Sequence, residues 1–459
     1  MAKANKEDYK HTASGIGGQY KTWFLDYASY VILERAVPAI EDGLKPVQRR
    51  ILHAMKEMDD GRFNKVANII GQSMQYHPHG DASIGDALVN MGQKDLLIET
   101  QGNWGDVRTG DDAAAPRYIE ARLSKFALEV AFNAKTTINQ LSYDGRKNEP
   151  VTLPMKFPLL LAQGAEGIAV GLATKILPHN FCELIEASIK HLRGKKFELL
   201  PDFLTGGIMD ATNYNEGKRG GKIRVRAIIE EQDKKTLIIK NVPFGVTTTS
   251  LMESIVKAND QGKIKIKKVT DLTAADIEIV IELAAGISSD ITIDALYAFT
   301  DCEVSISPNA CVISDNKPVF LTVTELLRTS ADLTKDLLLR ELQIKLGELQ
   351  EKWHYTSLEK IFFEEKIYKE LEKKHETWDK VLEAIDKAFT PFKKLLKRDI
   401  TREDIVKLTE KPVRRIYRLD IDELNEQIKN LEAEIKNVQH DIANLTDYAV
   451  AYYENLLKK

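Results

Sequence analysis

The C-terminal third of the chain carries two stretches of apolar residues at heptad spacing, and these constrain the fold more than any other feature. The two sets are Leu339, Leu342, Leu346, Leu349 and Trp353, and Leu424, Ile428, Leu431, Ile435, Val438, Ile442 and Leu445. Such spacing is typical of coiled-coil seams, and the second stretch predicts one 39-residue helix from Ile421 to Lys459, about 58 Å long. We therefore expect an antiparallel pair of long helices over residues 326–459, with a compact helical knob between them at about residues 357–420.

The chain before residue 326 divides into regions of different pattern. Residues 1–20 are polar and contain glycine, which predicts a flexible arm, and residues 21–150 carry apolar residues at helical spacing. Residues 151–325 contain segments in which apolar and polar residues alternate, as they do in half-buried strands. The strand segments are KIRVRAIIEE, TLIIKNVP, DIEIVIELAA and KPVFLTV. The sequence therefore predicts a multidomain α+β protein.

The composition of the 459 residues excludes several classes of protein. Charged residues make up 29% and hydrophobic residues 43%, which excludes a disordered or collagen-like chain. The formal net charge of -4 means that any nucleic-acid site must come from local charge. The three cysteines lack metal-binding or disulfide spacing, which fits a reducing cytosol. The N-terminus lacks an apolar signal core and the longest apolar stretch contains charges, so no membrane insertion is expected.

Three short amphipathic helices are predicted within residues 21–150, separated by breaks that carry Gly, Pro and Asp. Their sequences are VQRRILHAMKEM, KVANIIGQSM and ASIGDALVNMG. This arrangement is compatible with a helix-turn-helix. The stretch after Tyr118, with Ile119, Leu123 and Phe126, is predicted to run on as a helix.

The segment AAAPRYIEARLS places Arg117 directly before Tyr118. A phenol titrates near pH 10, so a tyrosine is a weak nucleophile unless a cation or a base activates it. A neighbouring arginine can also stabilise charge that develops on a phosphate. Taken alone, however, the dipeptide favours a half-buried helix tyrosine beside a surface arginine.

Two further segments carry groups suited to phosphate contacts. YHPHGD holds His77 and His79 in a rigid turn ahead of a helix, whose first N–H groups can bind anions. ERAVPAIEDGLKPVQRRI gathers the cations Arg35, Lys45, Arg49 and Arg50. Taken alone, the first segment favours a structural turn or a chance metal pair, and the second favours a solvated face. GKRGGK lacks the Ser or Thr of a phosphate-binding loop, so no ATP site is predicted.

Together, and in this order, the motifs resemble the breakage-reunion (A) subunit of bacterial type IIA DNA topoisomerases, the A subunits of gyrase and topoisomerase IV. The resemblance covers nearly the whole chain through DGLKPVQRR, YHPHGD, QGNWG, AAAPRY and GIAVGLATKILPHN, followed by the heptad segments. Gln48 and Trp104 stand where gyrase usually has His and Phe, and EARLSK also looks like the topoisomerase IV form. The resemblance therefore favours topoisomerase IV, which decatenates and relaxes DNA, over gyrase, which supercoils it.

The resemblance implies a role for each matched residue. Tyr118 is the expected nucleophile, which attacks a DNA phosphodiester and forms a 5′-phosphotyrosyl link, and Arg117 is expected to stabilise the transition state. The expected contacts with double-stranded DNA are Lys45, His77, His79, Arg35 and Arg50. Ile168 matches the residue that wedges between base pairs and bends the DNA, although its sequence alone favours a buried strand residue.

The resemblance also implies an architecture and partners. A winged-helix DNA gate at 21–150, a mixed α/β tower at 151–325 and a coiled-coil exit gate at 326–459 are expected to form a homodimer. Mg²⁺ and the ATPase are expected on a partner B subunit, in an A2B2 complex on the chromosome in the cytoplasm, and no metal site is expected in this chain. Full-length proteins of this kind are expected to continue beyond Lys459 into a β-rich DNA-wrapping domain, which best separates gyrase from topoisomerase IV. The main alternative is a non-catalytic DNA-binding dimer.

One departure from the family concerns drugs. The position after HPHGD is usually serine but here is Ala82, and Ser83 follows one residue later. In the family this serine and an acid, here Asp86, anchor a water–metal bridge to quinolones. The resemblance therefore predicts quinolones as ligands that bind this chain weakly.

Overall fold

The computed structural model describes residues 16–374, 376–410 and 421–459. These residues form two compact units. The larger unit runs to Thr334 and includes Tyr453–Lys459, and the smaller unit is Lys335–Tyr452. None of the described helices is long and apolar enough to cross a membrane.

Helices and strands are mixed along the chain. The helices are α1 (Ile16–Val31), α2 (Pro46–Glu57), α3 (Val66–Ser73), α4 (Asp81–Gly92), α5 (Lys125–Val130), α6 (Leu159–Gln163), α7 (Phe181–Leu192), α8 (Thr248–Asp260), α9 (Ser289–Phe299), α10 (Val323–Glu364), α11 (Trp378–Phe389), α12 (Arg402–Thr409), α13 (Ile421–Ala443) and α14 (Leu445–Lys458). The strands are β1 (Asn64–Lys65), β2 (Ile98–Gln101), β3 (Glu120–Leu123), β4 (Asn139–Leu141), β5 (Asn148–Pro150), β6 (Ala165–Ile168), β7 (Ala173–Ile176), β8 (Ile208–Asn213), β9 (Lys222–Arg226), β10 (Ile229–Asp233), β11 (Thr236–Ile239), β12 (Ile266–Asp271), β13 (Ile279–Leu283), β14 (Glu303–Ile306), β15 (Cys311–Ser314) and β16 (Lys317–Phe320). This mixture of helices with several small sheets confirms the predicted α+β class.

The first helix begins inside the range that the sequence predicts as a flexible arm. α1 starts at Ile16, so residues 16–20 are helical, whereas residues 1–15 lie outside the described part of the chain. A π-helical turn, Ile32–Ala36, follows α1 directly. This turn carries Arg35 at its exposed side.

The three short helices predicted within residues 21–150 are confirmed as α2, α3 and α4. Each helix buries most of the apolar residues that its periodicity predicts, among them Ile51, Ile69, Ile84 and Leu88. Pro46 begins α2, where a missing N–H costs nothing and the fixed φ suits a helix. The three helices contact one another, and α2 also packs against β3 of an antiparallel sheet of order β1-β3-β2.

The segment after Tyr118 is a strand, so the helix predicted there is wrong. In β3 the side chains of Ala121 and Leu123 are buried, while the side chains that alternate with them are partly exposed. Pairing with β1 on one side and β2 on the other outweighs the helical propensity of the sequence EARL. Helix α5 begins only after Ser124, whose hydroxyl accepts the N–H of Ala127 at 2.9 Å and caps it.

Two large apolar cores lie in the rest of the described part of the larger unit. One includes Ile223 and Val225 of the sheet β14-β9-β8, and the other includes Leu237 and Ile281 of the sheet β10-β11-β13-β12, which α8 and α9 cover. The predicted strands TLIIKNVP, DIEIVIELAA and KPVFLTV are confirmed as β11, β13 and β16. Alternation of apolar and polar residues therefore located these strands correctly.

The predicted strand KIRVRAIIEE is two strands, β9 and β10, which belong to different sheets. Between them, the N–H of Ala227 donates to the carbonyl of Cys302 at 2.8 Å. The next N–H, of Ile228, donates to the side-chain oxygen of Asn241 at 2.6 Å. These bonds lead the chain from one sheet to the next, and the alternation could not reveal this because it continues through the turn.

In the smaller unit, heptad residues of α10 contact heptad residues of α13. Trp353 packs against Leu431, and its indole N–H donates to Glu432 at 3.2 Å. Lys335 donates to Thr446 at 2.9 Å. Since Lys335 precedes Trp353 whereas Thr446 follows Glu432, the paired stretches run in opposite directions.

The single helix predicted from Ile421 to Lys459 is interrupted at one residue. α13 ends at Ala443 and α14 begins at Leu445. Both the side-chain amide and the backbone N–H of Asn444 donate to the carbonyl of His440, at 3.0 and 2.9 Å. Asparagine disfavours a helix interior because its amide competes for backbone groups in this way.

The predicted knob has an apolar core of its own. This core joins the end of α10 to α11 and α12 through Phe362, Ile385, Phe389 and Ile405. His375 and residues 411–420 of the predicted knob lie outside the described residues. The helix α10 begins three residues before the predicted boundary at residue 326.

Candidate functional site

Tyr118 lies on an exposed loop that leads into β3. Its side chain is 63% exposed, and the guanidinium carbon of Arg117 lies 4.6 Å from the centre of its ring. At this distance the cation is attracted to the face of the ring. The phenol and the guanidinium are therefore adjacent, and both are open to a large substrate.

Backbone hydrogen bonds fix the loop that carries this pair. The first N–H groups of a helix have no partner within the helix. In α3, the N–H of Val66 donates to the carbonyl of Ile119, and the N–H of Ala67 donates to the carbonyl of Pro116, both at 3.0 Å. The loop is thus attached to the start of α3 on both sides of Tyr118, without using any side chain of the pair.

The QGNWG segment supports the same loop. The N–H of Ala114 donates to the carbonyl of Asn103 at 2.9 Å. Trp104 is buried, and its carbonyl accepts the side-chain amide of Gln93 at 2.8 Å. A Cβ at Gly92 would lie 2.6 Å from the Trp104 ring, so only glycine permits this close packing.

His77 is buried and lies in the segment between α3 and α4. Its Nδ1 is 3.4 Å from the guanidinium of Arg50, which also donates to the buried Glu149 at 2.7 and 3.1 Å. Burial, followed by the charges of Arg50, His79 and Arg35, lowers the pKa of His77 to about 4. Because a guanidinium can only donate, Nδ1 accepts, which fits a ring that is neutral at pH 7.

His79 lies beside His77, with 5.0 Å between the ring centres. Its Nε2 makes a 2.6 Å hydrogen bond with the hydroxyl of Tyr30, which is on α1. The structure therefore brings together four predicted residues: His77, His79, Arg50 and Arg35, the last of which is close enough for its charge to affect His77.

Lys45 is hydrogen-bonded to the hairpin of β6 and β7, which carries Ile168. Its Nζ donates to the backbone carbonyl of Glu166 in β6 at 2.6 Å, and burial lowers the pKa of Lys45. Ile168 lies at the end of β6 and is 83% exposed, so its interpretation as a buried strand residue is wrong. A Cβ at Gly167 would lie 2.1 Å from the carbonyl oxygen of Ala36, which explains the glycine before Ile168.

Arg49 does not belong to the exposed cations. Its guanidinium pairs with Asp42 at 2.6 Å, and both residues are buried. Asp42 also accepts the N–H groups of Leu44 and Leu153, at 3.1 and 3.0 Å. This pair fixes the start of α2 from inside and leaves Arg35, Lys45 and Arg50 as the candidates for contacts.

Ala82 and Asp86 lie one turn apart on α4, and both are exposed. The hydroxyl of the neighbouring Ser83 donates to the carbonyl of Gly80 at 2.7 Å. This bond occupies the Ser83 hydroxyl within its own turn. The chain therefore presents a methyl group and a carboxylate at this position of the helix.

The site residues form separate groups. Within the described residues, no hydrogen bond, ion pair or ring contact joins Tyr118 or Arg117 to the histidines, Lys45 or Ile168. The described part of the chain also has no group of three or more His, Cys, Asp or Glu residues that could hold a metal ion. Sequence reasoning missed Tyr30 and Glu149, since their partners His79 and Arg50 are 49 and 99 residues away and leave no local signal.

The chain belongs to the family of the A subunits of DNA gyrase and topoisomerase IV, because the model of that family matches residues 35–454. The A subunit of DNA topoisomerase 4 from Borreliella burgdorferi is 44% identical to the chain over 436 residues. The A subunit of DNA gyrase from Lawsonia intracellularis is 38% identical over 363 residues, and that from Streptococcus pyogenes is 36% identical over 366 residues. These relatives confirm the family and the class of enzyme that the motifs predict, a type II DNA topoisomerase.

The chain and these relatives differ in length. The alignment with the topoisomerase 4 protein covers 95% of this chain and 69% of the relative. The alignments with the two gyrase proteins cover 72% and 74% of this chain and 44% of each relative. The chain therefore spans less than half of the gyrase proteins that it matches.

Proposed function

We propose that the chain is the DNA-cleaving component of a type IIA topoisomerase, with Tyr118 as its nucleophile. The observation that carries this proposal is the exposed phenol beside Arg117, on a loop that α3 fixes through its backbone. A fixed, accessible nucleophile next to a cation suits attack on a phosphodiester in a duplex, which is too large to enter a closed pocket. Similarity to the A subunit of topoisomerase 4 favours decatenation and relaxation over supercoiling.

The proposed reaction exchanges one phosphoester for another. The Tyr118 oxygen loses its proton and bonds to the phosphorus, and the bond from phosphorus to the 3′ oxygen breaks. The 5′ end is then held as a phosphotyrosine, and the 3′ hydroxyl receives a proton. Arg117 stabilises the negative charge that develops on the phosphate. Since the new ester conserves the energy of the old one, the reverse reaction reseals the strand without ATP.

The remaining cations and Ile168 hold and bend the cleaved duplex in this proposal. Lys45, Arg35 and Arg50 supply charge for the phosphates, and His77 and His79 supply hydrogen bonds through their ring nitrogens. The 83% exposure of Ile168 supports its role as a wedge, because an apolar side chain held in solvent gains by entering a base step. Its link to Lys45 through Glu166 supports joint action of the wedge and the phosphate contact.

The proposed assembly is a homodimer with two B subunits. The helices α2 to α4 with the sheet β1-β3-β2 support a winged-helix DNA gate, the following α/β region supports a tower, and the opposed α10 and α13 support a coiled-coil exit gate. Mg²⁺ and ATP belong to the B subunit in this proposal. The proposed location is the chromosome in the cytoplasm.

Trapping of the covalent intermediate tests the proposal. The chain, its B subunit, Mg²⁺ and plasmid are mixed and denatured, and protein attached to 5′ ends is mapped. We expect an adduct at Tyr118 and none for Tyr118→Phe, which should still bind DNA because the hydroxyl makes no hydrogen bond in the described structure. Tyr143→Phe, an exposed tyrosine on another loop, is the control and should cleave normally. An adduct formed by Tyr118→Phe would refute the assignment.

We also propose that quinolones bind weakly because Ala82 lacks a hydroxyl. The hydroxyl of Ser83 cannot replace it without leaving the carbonyl of Gly80. Ala82→Ser should strengthen drug-stabilised cleavage by about fivefold, the worth of one hydrogen bond. Drug titration of plasmid cleavage measures the change, with Ser83→Ala as the control. An unchanged response of Ala82→Ser would contradict this proposal.

A further inference from the structure

We propose that Tyr30 is a positioning residue for His79, and that it sets which ring nitrogen meets the DNA. This inference rests on the proposed function, in which His79 contacts the duplex. The hydroxyl of Tyr30 lies 2.6 Å from Nε2 of His79, and the two rings meet edge to face with 6.0 Å between their centres. Tyr30 thus makes both a hydrogen bond and a ring contact with the imidazole of His79.

The hydrogen bond leaves one nitrogen of His79 for a ligand. With Nε2 occupied, only Nδ1 remains available. A phosphate oxygen can only accept, so Nδ1 must carry a proton to bind it. In a neutral imidazole this requires Nε2 to accept, and the hydroxyl of Tyr30 lies where it can donate to Nε2. Tyr30 therefore leaves Nδ1 of His79 as the nitrogen that donates towards the DNA.

A second contact limits rotation of the same ring. The ring of His77 lies edge to face with that of His79, and Arg50 holds His77 through Nδ1. The imidazole of His79 consequently contacts both the ring of Tyr30 and the ring of His77. The packing alone does not distinguish the two ring nitrogens, because the flipped imidazole has nearly the same shape, so the Tyr30 hydroxyl is the group that favours one orientation.

The Tyr30 hydroxyl has no competing role in the fold. Tyr30 is 37% exposed, and in the described part of the chain its hydroxyl makes no hydrogen bond except that with His79. Removing the hydroxyl alone should therefore leave α1 in place. Tyr27, on the same helix, is 57% exposed and makes no hydrogen bond there, which makes it a matched control.

Binding of the full chain to a duplex DNA fragment tests the proposal. Tyr30→Phe should weaken binding by about fivefold, the worth of one oriented hydrogen bond. Tyr27→Phe should bind like the unaltered chain. In the His79→Ala background, Tyr30→Phe should cause no further loss, because its effect acts through the imidazole. A further fivefold loss in that background would overturn the proposal.

The proposal and the proposed function fail in different ways. If His79→Ala weakens binding and Tyr30→Phe does not, Tyr30 does not position His79, and the DNA contact of His79 stands. If His79→Ala leaves binding unchanged, the contact itself is wrong, and the positioning role is overturned with it. The adduct at Tyr118 reports on DNA cleavage independently of both results.

A spectroscopic signature separates positioning from simple support. In protein labelled with ¹⁵N only at histidine, His79→Ala identifies the resonances of that ring. Tyr30→Phe should shift the Nε2 resonance of His79 and leave the thermal unfolding midpoint unchanged. An unshifted Nε2 resonance would exclude the hydrogen bond in solution and overturn the proposal.

Discussion

The Tyr118 loop and the His77 cluster are built in opposite ways. Backbone hydrogen bonds to α3 fix the loop, and the side chains of Arg117 and Tyr118 project into solvent. In the cluster, His77 is buried, and Arg50 holds it while pairing with Glu149 from a distant strand. In the proposed function, the side chains of the loop carry the reaction but do not fix the loop's conformation, whereas those of the cluster both contact DNA and hold the cluster together.

This difference predicts which substitutions separate activity from folding. A change in an exposed side chain of the loop should alter the reaction and leave stability nearly unchanged. A change in the cluster should reduce stability as well, because it leaves buried polar groups without partners. The two regions can therefore be compared by measuring unfolding and cleavage on the same variants.

The largest effect on stability is expected for Arg50→Ala. Glu149 is 3% exposed, and its carboxylate would be left buried without its bidentate partner. Breaking such a pair from one side costs about 3 kcal/mol of unfolding free energy. Urea denaturation measures this loss. The double variant Arg50→Ala, Glu149→Gln should recover part of the loss, because the glutamine amide that replaces the buried carboxylate carries no charge.

Arg117→Ala is the matched comparison in the loop. Its unfolding free energy should change by less than about 0.5 kcal/mol, as is usual at the surface. Equal destabilisation by Arg50→Ala and Arg117→Ala would break the contrast between the two regions.

Arg117→Ala is expected to slow the cleavage reaction. In free energy, this effect is smaller than the loss of stability expected for Arg50→Ala. Loss of a cation beside the reacting phosphate should slow formation of the covalent adduct by about a hundredfold. DNA affinity should fall by much less, since other cations are proposed to contact the duplex. Single-turnover cleavage at saturating protein measures the rate apart from binding. A variant that cleaves at the normal rate once DNA is bound would remove Arg117 from the reaction.

The smallest effect is a pH dependence of stability from His77. Its folded pKa of about 4 lies below its ordinary value of 6.5, so the unfolded chain binds more protons between these values. The stability that this group contributes is therefore present above about pH 6.5 and is lost as the pH falls through 4. As the pH falls through this interval, the unfolding free energy of His77→Gln should decrease by about 2 kcal/mol less than that of the unaltered chain.

Urea denaturation at a series of pH values measures this difference. His179, whose pKa burial also lowers to about 4, is intact in both proteins and so cancels from the comparison. Parallel stability curves for His77→Gln and the unaltered chain would show that His77 is not buried as a neutral ring.

Much of the site was predictable because it depends on local sequence. Helical periodicity located α2, α3 and α4, and the motifs identified the family and pointed to Tyr118 and Arg117. The exposure of Ile168 was not predictable from its local pattern, because its apolar side chain and strand context favoured burial, and only the family resemblance pointed to an exposed wedge. The roles of Tyr30 and Glu149 were hidden for another reason, since each acts on a residue far away in the sequence.

The sequence by itself determined the class of fold, the positions of most helices and strands, and the membership of a family. These properties follow from patterns of a few residues, which neighbouring side chains already express. Only the tertiary structure decided that EARL forms a strand, since pairing with β1 and β2 overrode its local propensity. It also decided that Lys45 meets Glu166, 121 residues away, because such a contact exists only once the intervening chain has folded.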